Sequence, residues 1–115
     1  MALDRSVLDV VLEADKQGLL LAEKSYGDSW KRRGGTGSFM MLARKWDRIE
    51  NQCKGESYDV FEALANYPGD DGLIDDIRDL RRYLVLVECE YLRMYDSKVV
   101  DSLCEVASSY TNQDK

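Results

Sequence analysis

The chain has 115 residues, 44% of them hydrophobic and 33% charged, with a net charge of −6 and no histidine. This length suits one domain and the composition excludes disorder over most of it, while the missing histidine excludes Ser-His and Cys-His nucleophilic chemistry and any His-ligated metal. Cys53, Cys89 and Cys104 are odd in number and lack CxxC spacing, which indicates neither a disulfide framework nor a thiolate zinc site and fits a reducing cytoplasm.

The amino terminus, MALDRSVLD, carries an early acid, and no apolar run approaches the ~20 residues that span a bilayer, so neither an export signal nor a membrane anchor is expected. From residue 3 to about 24, Leu3, Val7, Val10, Val11, Ala14 and Leu21 recur at helical spacing and predict a first amphipathic helix. Gly18 weakens its interior by about 1 kcal/mol relative to Ala, which a close approach of another helix would explain.

SYGDSWKRRGGTGS follows and predicts a loop over residues 25–38. Lys31, Arg32 and Arg33 stand before Gly34, Gly35 and Gly37, so the loop can offer cations, backbone N–H groups and a helix start to an anion, or serve as a solvated connector. It lacks the Gly-Lys-Ser/Thr of a Walker A loop. Two roles are open for Tyr26 and Trp30: stacking on a base, or pinning the loop to the core.

A second helix is expected to begin at Thr36 or Ser38 as N-cap and to run to about residue 53, with Phe39, Leu42, Ala43, Trp46, Ile49 and Cys53 as its apolar stripe. Glu50 then projects about 50° from the stripe's centre, with Asp47 further along the same edge. A short helix over residues 58–66 is stopped by Pro68. Asp70, Asp71 and Gly72 open a third long helix to about residue 97, with Leu73, Ile77, Leu80, Leu84, Val87 and Tyr91 on one stripe. Asp76 falls about 50° from that stripe and Asp79 lies just beyond Tyr83. Residues 99–106 suggest a last short helix, and residues 108–115 a fraying tail. The expectation is a single all-α domain over residues 1–115, an antiparallel bundle of three long helices plus one or two short ones.

Asp47-x-x-Glu50 and Asp76-x-x-Asp79 are two acidic pairs, each at i, i+3 and so each on one helix face, with 25 residues between them. Four carboxylates aimed into one space repel one another, and hard, oxygen-preferring Mg2+ or Mn2+ is their natural counter-ion. Partnership with Arg44, Lys45 or Arg48, or with a cation elsewhere, is the competing explanation for Glu50, and complementing the helix macrodipole is the competing one for Asp75 and Asp76. Residues 24–48 hold seven basic residues against two acidic ones, a local charge of +5 that leaves −11 for the remainder. A basic segment beside an acidic one suits a polyphosphate held between cations and a metal.

The two acidic pairs resemble the ExxE and ExxD signature of the all-α nucleoside triphosphate pyrophosphatases of the MazG and dimeric dUTPase type, and DIRDLRRYLVL is similar to their third-helix run. The resemblance implies Mg2+-dependent cleavage of a nucleotide to a monophosphate and pyrophosphate, with Asp47, Glu50, Asp76 and Asp79 as metal ligands. Asp replaces the usual Glu at 47 and 76, and the second helix lacks the usual extra glutamate. Tyr26, Gly27, Ser29 and Trp30, then Arg44, Lys45, Arg48 and Ile49, and finally Asp79, Leu80 and Tyr83 resemble the nucleotide modification associated domain family of phages and bacteria. That resemblance covers about residues 20–92 and implies a link to modified or processed nucleotides.

Three functions follow as expectations. One is a Mg2+-dependent (deoxy)nucleoside triphosphate pyrophosphohydrolase in which Lys31, Arg32, Arg33 and Lys45 neutralise phosphates while Tyr26, Trp30 or Tyr83 lines a base pocket. The others are a non-catalytic nucleotide-binding module and a phage-type helical interaction protein. A homodimer or larger assembly is expected, because three or four helices seldom close such a site alone. Nucleic acid is disfavoured by the negative charge.

Overall fold

The computed structural model describes residues 2–69, 71–95 and 101. They form α1 (Arg5–Tyr26), a 3-10 turn (Ser29–Lys31), α2 (Gly34–Lys54), α3 (Val60–Asn66) and α4 (Leu73–Met94), with no strand among the described residues. The molecule is thus all-α, with three long helices and short helical pieces between them. The last short helix expected over residues 99–106 and the tail lie outside the described residues, apart from Asp101.

Aspartates start two of the helices by accepting hydrogen bonds from otherwise unpaired N–H groups. Asp4 accepts from the N–H of Ser6 at 3.0 Å and of Val7 at 3.3 Å, and from Ser6 Oγ at 2.7 Å. Those donors, the Ser6 hydroxyl foremost, hold its carboxyl below the usual range. Asp59 does the same for α3, accepting from Phe61 and Glu62. α2 differs from expectation: its first residue is Gly34, earlier than Thr36 or Ser38, and no side chain caps it. Ser38 instead donates its hydroxyl to the Trp30 carbonyl at 3.1 Å, which ties the 3-10 turn to the helix. That tie offsets the poor helix propensity of a glycine-rich first turn.

Internal contacts divide the chain into two units, Met1–Tyr83 and Leu84–Lys115, with the division falling inside α4. In the first unit Ile49 and Cys53 from α2, Ala63 from α3 and Leu73 from α4 form a buried core, with Val60, Leu64, Ile77 and Leu80 packed against it. Lys45 pairs with Asp79 and Arg48 with Asp76. Numbers rise along α2 as they fall along α4, so these two helices are antiparallel.

α1 meets α4 differently. Asp15, 5% exposed, accepts hydrogen bonds from Arg81 Nε at 2.6 Å, Arg81 Nη2 at 2.8 Å and Arg82 Nε at 2.9 Å. Arg82 Nη2 also donates to the Ala14 carbonyl at 3.2 Å. A Cβ on Gly18 would stand 2.6 Å from Arg82 Nη1, which is why the helix carries a glycine there. Hydrogen bonding from Arg81, reinforced by Arg82 and opposed by burial, lowers the pKa of Asp15, and the Arg81 guanidinium is held protonated in return.

The face used by α1 is not its predicted apolar stripe, and the face used by α2 overlaps its stripe only in part, through Leu42, Ile49 and Cys53. α2 turns Leu42, Lys45, Ile49, Gln52 and Cys53 inward, while Phe39 and Trp46 are 64% and 53% exposed. At 100° per residue the inward face lies about 60° from the centre of the predicted stripe. On α1 the half-buried or buried residues are Leu8, Val11, Asp15, Gly18 and Leu19, a face about 100° from the predicted one. Only Val11 belongs to both. α4 keeps its predicted orientation in this unit, with Leu73, Ile77 and Leu80 toward the core.

In the second unit α4 continues as a helix to Met94. Arg93 pairs with Glu90 one turn earlier, and the rings of Tyr91 and Tyr95 lie 4.7 Å apart between centroids, tilted by 41°. Cys89 is exposed and free, as buried Cys53 is in the first unit. No helix among the described residues is long and apolar enough to cross a membrane.

Candidate functional site

Asp76 and Asp79 stand on the face of α4 that meets α2, and the cations of α2 take them up. Asp76 is 2% exposed; Arg48 Nε donates to its Oδ1 at 2.9 Å and Gln52 Nε2 to its Oδ2 at 2.8 Å. Lys45 Nζ donates to Asp79 Oδ2 at 2.9 Å, both side chains being half-buried. Burying a carboxylate costs several kcal/mol unless hydrogen bonds replace the lost water. Gln52 supplies one of those bonds, a role that no pattern in the sequence assigns to it. Its signal was its place on the turn after Arg48, within reach of the same partner.

Asp47 and Glu50 are elsewhere. With α2 rotated, Asp47 projects about 170° and Glu50 about 110° from the centre of the face turned to α4. Both are exposed and line a shallow hollow formed by α2 alone, shared with Arg44, Asn51 and Lys54. Trp46 Nε1 donates to Glu50 Oε2 at 3.1 Å. The four carboxylates that resemblance assigns to a metal are therefore brought together only as two separate pairs. Among the described residues no group of three or more Asp, Glu or Cys side chains gathers where it could hold a metal ion. The arrangement does not fit one Mg2+ held by all four, since an octahedral cation needs convergent oxygens and those of Asp76 already face Arg48 and Gln52.

The remaining predicted residues cluster at the turn from α1 to α2. Tyr26, 74% exposed, ends α1, and Gly27 caps it with φ +57. Trp30 and Lys31 are half-buried in the 3-10 turn, and Arg32 and Arg33 are exposed after it. Gly37 allows close approach here: a Cβ at that position would lie 2.7 Å from Arg33 Cβ, so the glycine lets the Arg33 stem lie against the first turn of α2. Tyr83 is half-buried on α4, apart from this turn in sequence. Lys45 is engaged with Asp79.

The segments that carry the family resemblance thus have defined structural places: one forms the α1–α2 turn, and the other two meet where Lys45 pairs with Asp79 and Ile49 lies in the core that Leu80 packs against. Comparison with family models, curated proteins and solved structures gives no match to this chain.

Proposed function

We propose that the chain is a nucleotide-binding module, linked to nucleotide processing or modification, which holds a polyphosphate at the start of α2 without a four-carboxylate metal site. The observation that supports this most is the uncapped, glycine-rich first turn of α2 directly behind Lys31, Arg32 and Arg33. A helix start presents unpaired N–H groups and a partial positive charge, and guanidinium groups add bidentate hydrogen bonds to phosphate oxygens. Exposed Tyr26, at the end of the preceding helix, offers a face for a base. The α2–α4 ion pairs then act as scaffold, fixing the rotation of α2.

Calorimetry with nucleoside triphosphates, in EDTA and in Mg2+, tests this reading. Binding that survives EDTA and weakens about tenfold in Arg33→Ala is expected, in line with the ~1.5 kcal/mol of one charge-assisted hydrogen bond. Absence of binding under both conditions would refute it. Pyrophosphate release in Mg2+ or Mn2+, abolished by Glu50→Gln, would replace it with the pyrophosphohydrolase that the resemblance implies.

A further inference from the structure

Asp15 draws more cation than its charge requires. Asp76 faces one guanidinium and an amide, and Asp79 one ammonium, whereas Asp15 faces two guanidiniums. Arg81 donates to it through Nε at 2.6 Å and Nη2 at 2.8 Å, and Arg82 through Nε at 2.9 Å. Residues 81 and 82 leave α4 about 100° apart, yet both side chains converge on one carboxylate, and Gly18 gives the Arg82 guanidinium the room to do so. Two cations against one anion leave a surplus of positive charge beside a carboxylate that is itself buried. Solvent reaches that surplus, since the Arg81 and Arg82 side chains are 36% and 28% exposed. Carbon adds little to the contact: the four buried apolar side chains of the core come from α2, α3 and α4, and α1 brings only half-buried Leu8, Val11 and Leu19 to the same face.

We propose that Arg81 and Arg82 form an oxyanion-binding fork on α4, that Asp15 occupies it in the free chain, and that a phosphate monoester takes it by displacing α1 as a strap. The Asp15 carboxylate already shows the chemistry the fork accepts, oxygen acceptors met by paired N–H donors. A phosphate monoester carries close to two negative charges and three strong acceptor oxygens, so it balances both guanidiniums where one carboxylate balances only one. Release of Asp15 opposes the exchange, and the apparent affinity is lowered by the fraction of chains in which the strap is open. No covalent bond changes. This inference goes beyond nucleotide binding at the start of α2, which concerns Lys31, Arg32 and Arg33 and a different helix.

Nuclear magnetic resonance of the full chain tests it, through arginine Nε–H signals and amide exchange. Methyl phosphate, a minimal monoester, is titrated at about pH 7, where it is mostly a dianion, with sodium chloride holding ionic strength constant. The Nε–H signals of Arg81 and Arg82 should shift, and the amides of α1 should lose protection while those of the core keep theirs. In Asp15→Ala the same shift should need about thirtyfold less ligand, which is ~2 kcal/mol at 1.4 kcal/mol per decade. If Asp15→Ala loses helix, Asp15→Asn, neutral and of the same shape, gives the same reading. Replacing Arg81 and Arg82 by alanine in that background should abolish the binding. Equal affinity with and without Asp15, binding that survives loss of both arginines, or α1 amides unmoved by saturating ligand in the parent chain would each overturn the proposal. A nucleoside monophosphate that shifts these two signals more tightly than methyl phosphate assigns the ligand to nucleotides, and equal affinity assigns it to the phosphate group alone; both support the fork. The signals of Arg32 and Arg33 report on the start of α2 separately, so either site can fail without the other.

Discussion

Along α4, Leu73, Ile77 and Leu80 meet α2 and α3 through carbon, whereas Arg81 and Arg82 meet α1 through one buried carboxylate and the neighbouring Ala14 carbonyl. The first contact rests on an apolar core with two ion pairs beside it, so ionic strength touches only the smaller part of it. The second concentrates the attachment of a 22-residue helix on Asp15. Its guanidinium partners are 36% and 28% exposed, so solvent screens part of what they contribute. The two contacts should therefore respond to different perturbations.

The largest effect is expected at the apolar contact. Leu73 is fully buried, and Leu73→Ala should cost about 3 kcal/mol in urea-induced unfolding through lost burial and a residual cavity. With so few buried apolar side chains, that loss should lower protection of α2, α3 and α4 together in hydrogen exchange.

Asp15→Asn should cost less, about 2 kcal/mol, because the arginines it leaves behind remain partly hydrated. It should release α1 in hydrogen exchange while the core amides stay protected. Acid should act the same way on the parent chain. Because the folded-state pKa of Asp15 is lowered, its contribution is present above the unfolded value of about 3.9 and is lost as pH falls through the folded value. A melting-temperature profile from pH 7 downward should fall below about pH 4, and the fall should be shallower in Asp15→Asn. An unchanged profile would show that the clamp is not what holds α1.

Gly18→Ala carries the smallest expected effect and sharpens the comparison. Alanine gains about 1 kcal/mol in helix propensity. Its Cβ must displace the Arg82 guanidinium, which loses bonds to Asp15 and Ala14 worth about 1 kcal/mol each. Net destabilisation of about 1 kcal/mol is expected by thermal unfolding; stabilisation would mean that Arg82 swings aside at little cost and that Arg81 alone holds Asp15.

Much of the helical layout was legible beforehand. Pro68 marks an interruption and the periods of α1, α2 and α4 identify the long helices to within a few residues, whereas the caps at Asp4 and Asp59 emerge only from the structure and Gly34, Gly35 and Gly37, expected in a loop, lie in the first turn of α2. The approach to Gly18 and the inward aim of Asp76 were also readable. Convergence of Asp47 and Glu50 with Asp76 and Asp79 was the natural expectation if the apolar stripe of α2 faced α4. Instead Lys45, Arg48 and Gln52 occupy the inward side, and the first acidic pair is carried to the outside.

The linear order of residues determined which segments are helical and, to within a few residues, where they start and stop. Tertiary structure alone decided how α1 and α2 are turned about their own axes. Both helices have apolar residues around more than one edge, so hydrophobic burial leaves their rotation nearly degenerate. The observed rotations are the ones that give Asp15, Asp76 and Asp79, once buried, cations within hydrogen-bond reach.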